Sequence, residues 1–240
     1  MNVLVPLADG VEELEAVTII DVLRRGGVNV TSAAISGKNE VAGSRGVSIA
    51  ADTAWDTVVP ENFDAIVLPG GGAGTDNLIA DKRIRDTLRN YNAEGKWICA
   101  ICAAPMVLAA AGVILGRKVT CYPSCASSIN GFYEDAPVIA DGNLITSQGP
   151  GTALLFALVL VKHFTNDENA RKVAAGMLTG FYSGRRAQRC ASAFLEAVSI
   201  PSMWDIISLP PLLWRVAGWT RCCLCLVMCR PLRLMMSLGS

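Results

Sequence analysis

The chain has 240 residues, 52% of them hydrophobic, 18% charged and 6% aromatic. That is enough for one large domain, or a domain with an appendage, and too apolar for an intrinsically disordered chain. Lys plus Arg equals Asp plus Glu at 21 each, so there is no excess positive charge to hold nucleic acid, and 22 glycines without a three-residue period exclude a collagen-like chain.

The charge balance conceals an asymmetry. Residues 185–240 carry seven Arg, no Lys, the two acids Glu196 and Asp205, and five of the nine Cys. The remainder is net acidic, which places a domain boundary near Gly184. Met1 leads straight into an apolar run, with no basic leader and no small-residue cleavage site, so secretion is not indicated and a cytoplasmic location is expected. In that compartment the Cys read as thiols rather than as a disulfide framework.

In chain order, short β-branched runs alternate with helical stretches. Strands are expected at Asn2–Ala8, Val28–Ile35, Ala65–Pro69, Trp97–Ile101, Val119–Tyr122 and Leu144–Ser147. Helices are expected at Glu13–Arg25, Lys82–Ala93, Pro105–Ala111, Thr152–Phe164 and Asn169–Met177. Leu14, Val17, Ile20 and Leu23 recur at helical spacing, and Gly26-Gly27 stops that helix. Val41–Thr53 reads as a hairpin turning near Ser44-Arg45-Gly46. Repeated strand–helix units define an α/β fold, a doubly wound, mostly parallel sheet sandwiched by helices (flavodoxin-like).

In such sheets ligands gather beyond the carboxyl ends of the strands, so the residues just after each strand matter most. Cys102 follows the strand Trp97–Ile101 and precedes a helix opened by Pro105. That strand-to-helix turn projects a side chain outward, and the crowding calls for the small neighbours Ala100, Ala103 and Ala104. Unpaired N–H groups at the helix start favour a thiolate, against the alternative of an ordinary buried Cys. Cys99 and Cys102 spell C-x-x-C, but residues three apart on a strand point to opposite faces, which argues against a local disulfide. No ligand set for zinc accompanies them, and His163, the single histidine, reads as structural.

Gly70, Gly71, Gly72 and Gly74 follow a strand but match neither the dinucleotide spacing nor a P-loop. They read as a tight turn whose backbone N–H groups can hold an oxyanion. Glu12, Glu13 and Glu15 open the first helix, where acids complement its dipole. Glu15 alone is placed to face inward, where burial would keep it protonated.

Five spaced motifs then carry a resemblance. They are Ala8-Asp9-Gly10-Val11-Glu12-Glu13-Leu14-Glu15-Ala16, Ser44-Arg45-Gly46-Val47, Val67-Leu68-Pro69-Gly70-Gly71, Ala100-Ile101-Cys102-Ala103-Ala104-Pro105 and Thr146-Ser147-Gln148-Gly149-Pro150-Gly151-Thr152. Over about residues 1–183 the chain resembles the ThiJ/PfpI superfamily, in the branch that holds the parkinsonism-associated protein deglycase. The resemblance implies that Cys102 is an oxidation-prone nucleophile, that Glu15 is the buried acid contacting its sulfur, and that the N–H groups of Gly71 and Ala103 bind the substrate oxygen. It also implies a homodimer with the first helix and the hairpin near the interface. Gly70, Tyr122, Arg25 and Arg45 would line the substrate-binding region, the two arginines on its dimer side.

Two departures bear on function. Protease-like and chaperone-like relatives have His directly after the Cys, where this chain has Ala103. His163 is followed by Phe164-Thr165, so it forms no His-x-Glu of the amidotransferase kind. Proteolysis is therefore not expected. Proton transfer falls to Glu15, with Tyr122, which stands before Pro123 where some branch members have His, or water as helper. The activity implied is that of a cofactor-independent deglycase, a glyoxalase III-like hydrolase. It would act on small α-oxoaldehydes such as methylglyoxal and glyoxal, or on their early adducts with protein side chains, with no metal or organic cofactor. The alternative is an oxidative-stress sensor or a redox-regulated chaperone working through oxidation of Cys102.

Residues 185–240 have no counterpart in that family. Pro201, Pro210, Pro211 and Pro231 interrupt them, and the spacing of Cys222, Cys223, Cys225 and Cys229 fits no standard metal site. The favoured reading is a poorly ordered Arg/Cys/Trp-rich extension. A membrane-surface contact through Trp204, Trp214 and Trp219 is the alternative.

Overall fold

The computed structural model describes residues 1–179, so the expectations for residues 185–240 fall outside the described residues. The chain runs β1 (Asn2–Leu7), α1 (Glu13–Arg25), β2 (Asn29–Ala34), β3 (Glu40–Ala42), β4 (Ser48–Ala50) and β5 (Thr53–Ala54). It continues through β6 (Ala65–Leu68), α2 (Gly72–Ala80), α3 (Lys82–Glu94), β7 (Trp97–Ile101), α4 (Pro105–Ala111), β8 (Lys118–Val119) and β9 (Phe132–Tyr133). Then come β10 (Val138–Asp141), β11 (Leu144–Ser147), α5 (Ala153–Phe164) and α6 (Asp167–Gly176).

Seven strands form one sheet in the order β10-β11-β7-β6-β1-β2-β5. Every neighbouring pair is parallel except β10–β11. Successive side chains on a strand point to opposite faces, and the two cores follow that alternation. Val3, Val5 and Leu7 of β1, Val67 of β6, and Cys99 and Ile101 of β7 pack with Ala16, Ile19 and Leu23 of α1 and Phe156 and Leu160 of α5. Leu4, Ile66, Leu68, Ile98 and Ala100 pack on the other face with Ile84 and Leu88 of α3 and Val107 and Leu108 of α4. Both faces are thus covered, which is why these strands are apolar throughout. This is the expected flavodoxin-like α/β sandwich.

From β1 the chain winds outward to β2 and β5, then returns to the other side of β1 with β6. The winding direction reverses between β1 and β6. The carboxyl ends of the strands at such a reversal are the usual ligand position in an open parallel sheet.

The hairpin forms as β3 against β4, with Ala42 opposite Ser48. The segment Val119–Tyr122, expected as a strand, pairs only through Lys118 and Val119, and with β9 in a separate two-stranded sheet rather than with the main one. Three main-sheet or covering elements were not anticipated: α2, whose glycines read as turn; the short edge strand β5; and β10. The last had a local signal, because Gly142-Asn143 joins Asp141 to Leu144 as a two-residue hairpin loop with glycine first, and Gly142 adopts a φ of 60°. In α1 the residues facing the sheet are Ala16, Ile19, Val22 and Leu23. Leu14 and Val17, half of the stripe that signalled the helix, are 53% and 50% exposed.

Candidate active site

Three chain segments meet at the switch point: the start of α1, the turn after β6 and the turn after β7. Cys102 sits in the last of these with a φ of 64°, a left-handed conformation that costs an L-residue about 1–2 kcal/mol and persists only where surrounding structure enforces it. The enforcement is visible. Its N–H donates to the Ser147 carbonyl at the end of β11 (2.9 Å), its carbonyl accepts from the Tyr122 N–H (2.8 Å), and the Ala104 N–H turns back to the Ile101 carbonyl (3.0 Å). Pro105 then opens α4, where its missing N–H leaves nothing unpaired. Cys102 is half-buried, while Ala103 and Ala104 beside it are buried.

Glu15 enters from the first turn of α1 and is fully buried. The N-cap residue Glu12 fixes that turn by accepting from the Glu15 N–H at 2.7 Å. Oε2 of Glu15 accepts from the Gly70 N–H at 2.8 Å, while Oε1 has no hydrogen-bond partner. Burial pushes this carboxyl up to about 7, against the Gly70 N–H and a hydrogen bond with Cys102, both of which lower it. Glu15 is thus the acid that burial holds partly protonated at neutral pH.

The thiol departs from the sequence expectation. Burial first, then the charge of Glu15 and the hydrogen bond to it, push Cys102 up to about 12, while the N–H groups of Ala103 and Gly71 pull it down. Helix-start N–H groups alone therefore do not make a free-standing thiolate here. The sulfur and the carboxyl behave as one site, in which a negative charge on either disfavours a charge on the other. One proton leaves the pair near neutrality, and the N–H groups of Gly71 and Ala103 stabilise the anion when it lies on sulfur.

The glycines explain how these groups fit together. A Cβ on Gly70 would lie 2.7 Å from the Cys102 Cβ and 2.8 Å from Glu15 Oε2, so only glycine lets acid and sulfur share that space. Gly71 has a φ of 101° and so presents its N–H in a conformation that glycine adopts freely. Gly149, to which the sequence assigned no role, forms the opposite wall. A Cβ there would lie 3.2 Å from the Tyr122 ring and 3.9 Å from Cys102 Sγ. Tyr122 lies against this wall next to the sulfur and is 47% exposed.

The structure therefore brings together Cys102, Glu15, Gly70, Gly71, Ala103 and Tyr122. It does not bring Arg25 to them within one chain. Arg25 lies in the last turn of α1, bound to Asp21 at 2.7 Å, ten residues and about 15 Å along the helix from Glu15. Arg45 is exposed in the hairpin turn. Its backbone N–H, not its guanidinium, makes the link to α1, donating to Glu13 Oε1 at 2.7 Å. Glu13, which the sequence suggested served only the helix dipole, also accepts from Ser44 Oγ at 3.1 Å and pins the hairpin. His163 packs edge-on against Trp97 with ring centres 5.3 Å apart, a structural contact. Cys99 is fully buried, and neither it nor Cys102 is in a disulfide. Among the described residues no His, Cys, Asp and Glu cluster could hold a metal, and no helix is long and apolar enough to cross a membrane.

A parallel α/β sandwich with a strained cysteine on the turn after a central strand, an acid buried beside it and two amides facing the sulfur defines a class of cysteine-centred α/β proteins. Within that class the chain belongs to the DJ-1/PfpI family, whose pattern matches residues 1–163. It is 43% identical over 183 residues to the Drosophila melanogaster protein dj-1beta, covering 75% of this chain and 98% of that one. It is 33% identical over 165 residues to the deglycase TK1284 of Thermococcus kodakarensis, covering 68% of this chain and 98% of the relative. The crystal structure of Drosophila DJ-1beta superposes with a TM-score of 0.72 at 44% identity, covering 74% of this chain and 97% of that one. Oxidized Toxoplasma gondii DJ-1 gives 0.72 at 38% identity, covering 74% and 98%.

Proposed function

We propose that the chain is a cysteine-dependent deglycase and glyoxalase acting on methylglyoxal, glyoxal or their early adducts on protein side chains. The observation that supports this reading best is the shared pocket of Cys102 and Glu15, with the Gly71 and Ala103 amides turned toward the sulfur. The Cys102 S–H proton passes to the Glu15 carboxylate as the sulfur adds to the aldehyde carbon; the S–C bond forms, the C=O π bond opens, and Glu15 hands that proton to the carbonyl oxygen, giving a hemithioacetal. The two amides stabilise charge on that oxygen as it develops. The Glu15 carboxylate then removes the proton from the sulfur-bearing carbon and returns it to the adjacent carbonyl carbon, while the hemithioacetal hydroxyl proton passes to the adjacent oxygen, which leaves a thioester next to a hydroxyl. Water cleaves the S–C bond, releasing the hydroxyacid and restoring the thiol. Tyr122 against Gly149 walls the small pocket, and the chemistry proposed asks for no metal or organic cofactor.

Methylglyoxal consumption by the purified protein tests this. Wild type is expected to turn it over, and Cys102→Ala and Glu15→Gln to reduce turnover by at least ~100-fold, the low end of a general acid–base contribution. No turnover by wild type would sink the reading.

A second reading is a sensor of oxidative stress. It is favoured by the same buried Glu15, which in its protonated form donates to a Cys102 sulfinate through a short hydrogen bond. Ready peroxide oxidation of Cys102 in a protein without turnover is its signature. In either case we propose a homodimer through α1 and the β3–β4 hairpin. Leu14, Val17 and Val47 stand exposed on those two elements, which Glu13 ties together.

A further inference from the structure

Beyond the switch-point pocket, the described residues hold a second pair of thiols that the chemistry above does not use. Cys121 and Cys125 are both free. Cys121 is fully buried just past β8, while Cys125 is partly exposed. Tyr122 leads into a 3-10 turn, Pro123–Ser128, that contains Cys125, whose N–H donates to the Tyr122 carbonyl at 2.8 Å. A turn closed by that bond holds its end residues within about 7 Å at Cα, with Pro favoured at its second position. Cys121 lies one residue before the turn. Cys121 thus immediately precedes this tight turn and Cys125 lies within it, four residues on, the first buried and the second partly exposed. Burial first, and then the charge of Cys125, push the Cys121 thiol up to about 11.

We propose that Cys121 and Cys125 form a second, disulfide-forming redox site driven by hydroperoxides, distinct from Cys102. The exposed Cys125 sulfur attacks the peroxide. Its S–H bond and the O–O bond break, an S–O bond forms, and the sulfur is oxidised to a sulfenic acid while the peroxide is reduced to water. The Cys121 sulfur then attacks the Cys125 sulfur. The S–S bond forms as the S–O bond breaks, and the departing hydroxide takes the Cys121 proton and leaves as water. A thiol reductant reverses the bond by exchange. First attack requires access, which Cys125 has and Cys121 lacks, so Cys121 is left to resolve the sulfenic acid, losing its proton as it attacks.

The position of this ring gives it a consequence for the main pocket. Tyr122 lies inside it, its N–H bonded to the Cys102 carbonyl and its ring against Gly149 beside Cys102 Sγ. A disulfide that closes around Tyr122 fixes the residue next to the nucleophile, an extension that rests on Cys102 being the reactive centre. The redox step itself does not depend on any catalytic activity.

The test uses the full chain, treated with hydrogen peroxide, alkylated and cleaved after basic and Glu residues, so that Cys121 and Cys125 fall in the single peptide Val119–Glu134. The expected result is loss of two hydrogen masses and of both alkyl labels from that peptide, restored by dithiothreitol, in wild type and in Cys102→Ala alike. Cys125→Ser should abolish the change, and Cys121→Ser should leave Cys125 trapped as a sulfenic acid that reacts with dimedone. Two fully alkylated cysteines in wild type after Cys102 has gone to sulfinic acid, or Cys125 linked to any cysteine other than Cys121, would overturn the proposal. Because each readout is a thiol state, a protein that forms this bond but spares methylglyoxal removes the deglycase reading and leaves the redox site standing.

Discussion

Glu15 owes its chemistry to being buried without a full complement of partners, and the same burial makes it a term in stability. Its folded pKa of about 7 lies above the ordinary 4.5, so between those values the folded state holds a proton that the unfolded chain has released. The stability from that bound proton is complete below about 4.5 and is lost as pH rises through 7, an effect of at most about 3 kcal/mol. Glu15→Gln keeps the shape and cannot ionise. Urea melts should therefore show it more stable than wild type by about 1–3 kcal/mol at pH 8 and nearly equal at pH 4.5, although turnover is lost. Gly70 gives a second residue-level contrast. Gly70→Ala forces a Cβ against Cys102 and Glu15 and is expected to cost about 1–3 kcal/mol, as overpacking does, together with the reactivity of Cys102 toward iodoacetamide. Gly72→Ala, two residues on, meets no atom within 4 Å and should change neither. That Cys102, Glu15 and the Gly70-Gly71 turn share one end of the sheet was legible in the sequence because each follows a recognisable strand. The coupling of thiol and carboxyl was not, because it depends on two residues 87 positions apart being buried in one space.

At the scale of elements, the hairpin is held to α1 by one side chain. Glu13 accepts from the backbone N–H groups of Arg45 and Val47 and from the Ser44 hydroxyl. Burial raises its pKa, but these bonds and its own backbone N–H outweigh that and hold it below the usual carboxylate value. Glu13 therefore steadies the hairpin above its unfolded pKa, and the effect is lost as pH falls through the folded one. Glu13→Ala should speed amide hydrogen exchange at Arg45 and Val47 while leaving β1 and β7 protected, and wild type should approach the variant's rates in acid. Uniform deprotection across the sheet would contradict this division of labour. Other elements show why pattern alone fell short. Gly72 and Gly74 lower helix propensity, yet α2 forms because its chain must lie against the loop after β1: a Cβ on Gly74 would come 2.8 Å from the Val11 nitrogen. The run Val119–Tyr122 has strand composition but does not join the main sheet, whose edge β10 and β11 complete through a hairpin. The covered strands, by contrast, were legible almost to the residue, because burial on both faces writes an unbroken apolar run.

For the whole molecule, the placement of Arg25 poses a question that a single chain does not answer. It stands at the far end of α1 from Glu15, whereas Leu14, Val17 and Val47 leave an apolar strip exposed where α1 meets the hairpin. The proposed homodimer through that strip would need Arg25 of the second copy to serve a pocket that the same chain's Arg25 does not reach. Val17→Lys places a charge in the centre of the strip, where desolvation without a partner is costly. Sedimentation at micromolar concentration should show wild type as a dimer and Val17→Lys as a folded monomer with an unchanged circular dichroism spectrum. The kinetic consequence separates the arginine from the fold. Val17→Lys and Arg25→Ala should each raise KM for methylglyoxal adducts with kcat largely kept, since Cys102 and Glu15 come from one chain. Combined, they should do no more than Val17→Lys alone, because a monomer has no partner arginine left to remove. A Val17→Lys protein that remains dimeric would move the interface elsewhere and return Arg25 to the surface.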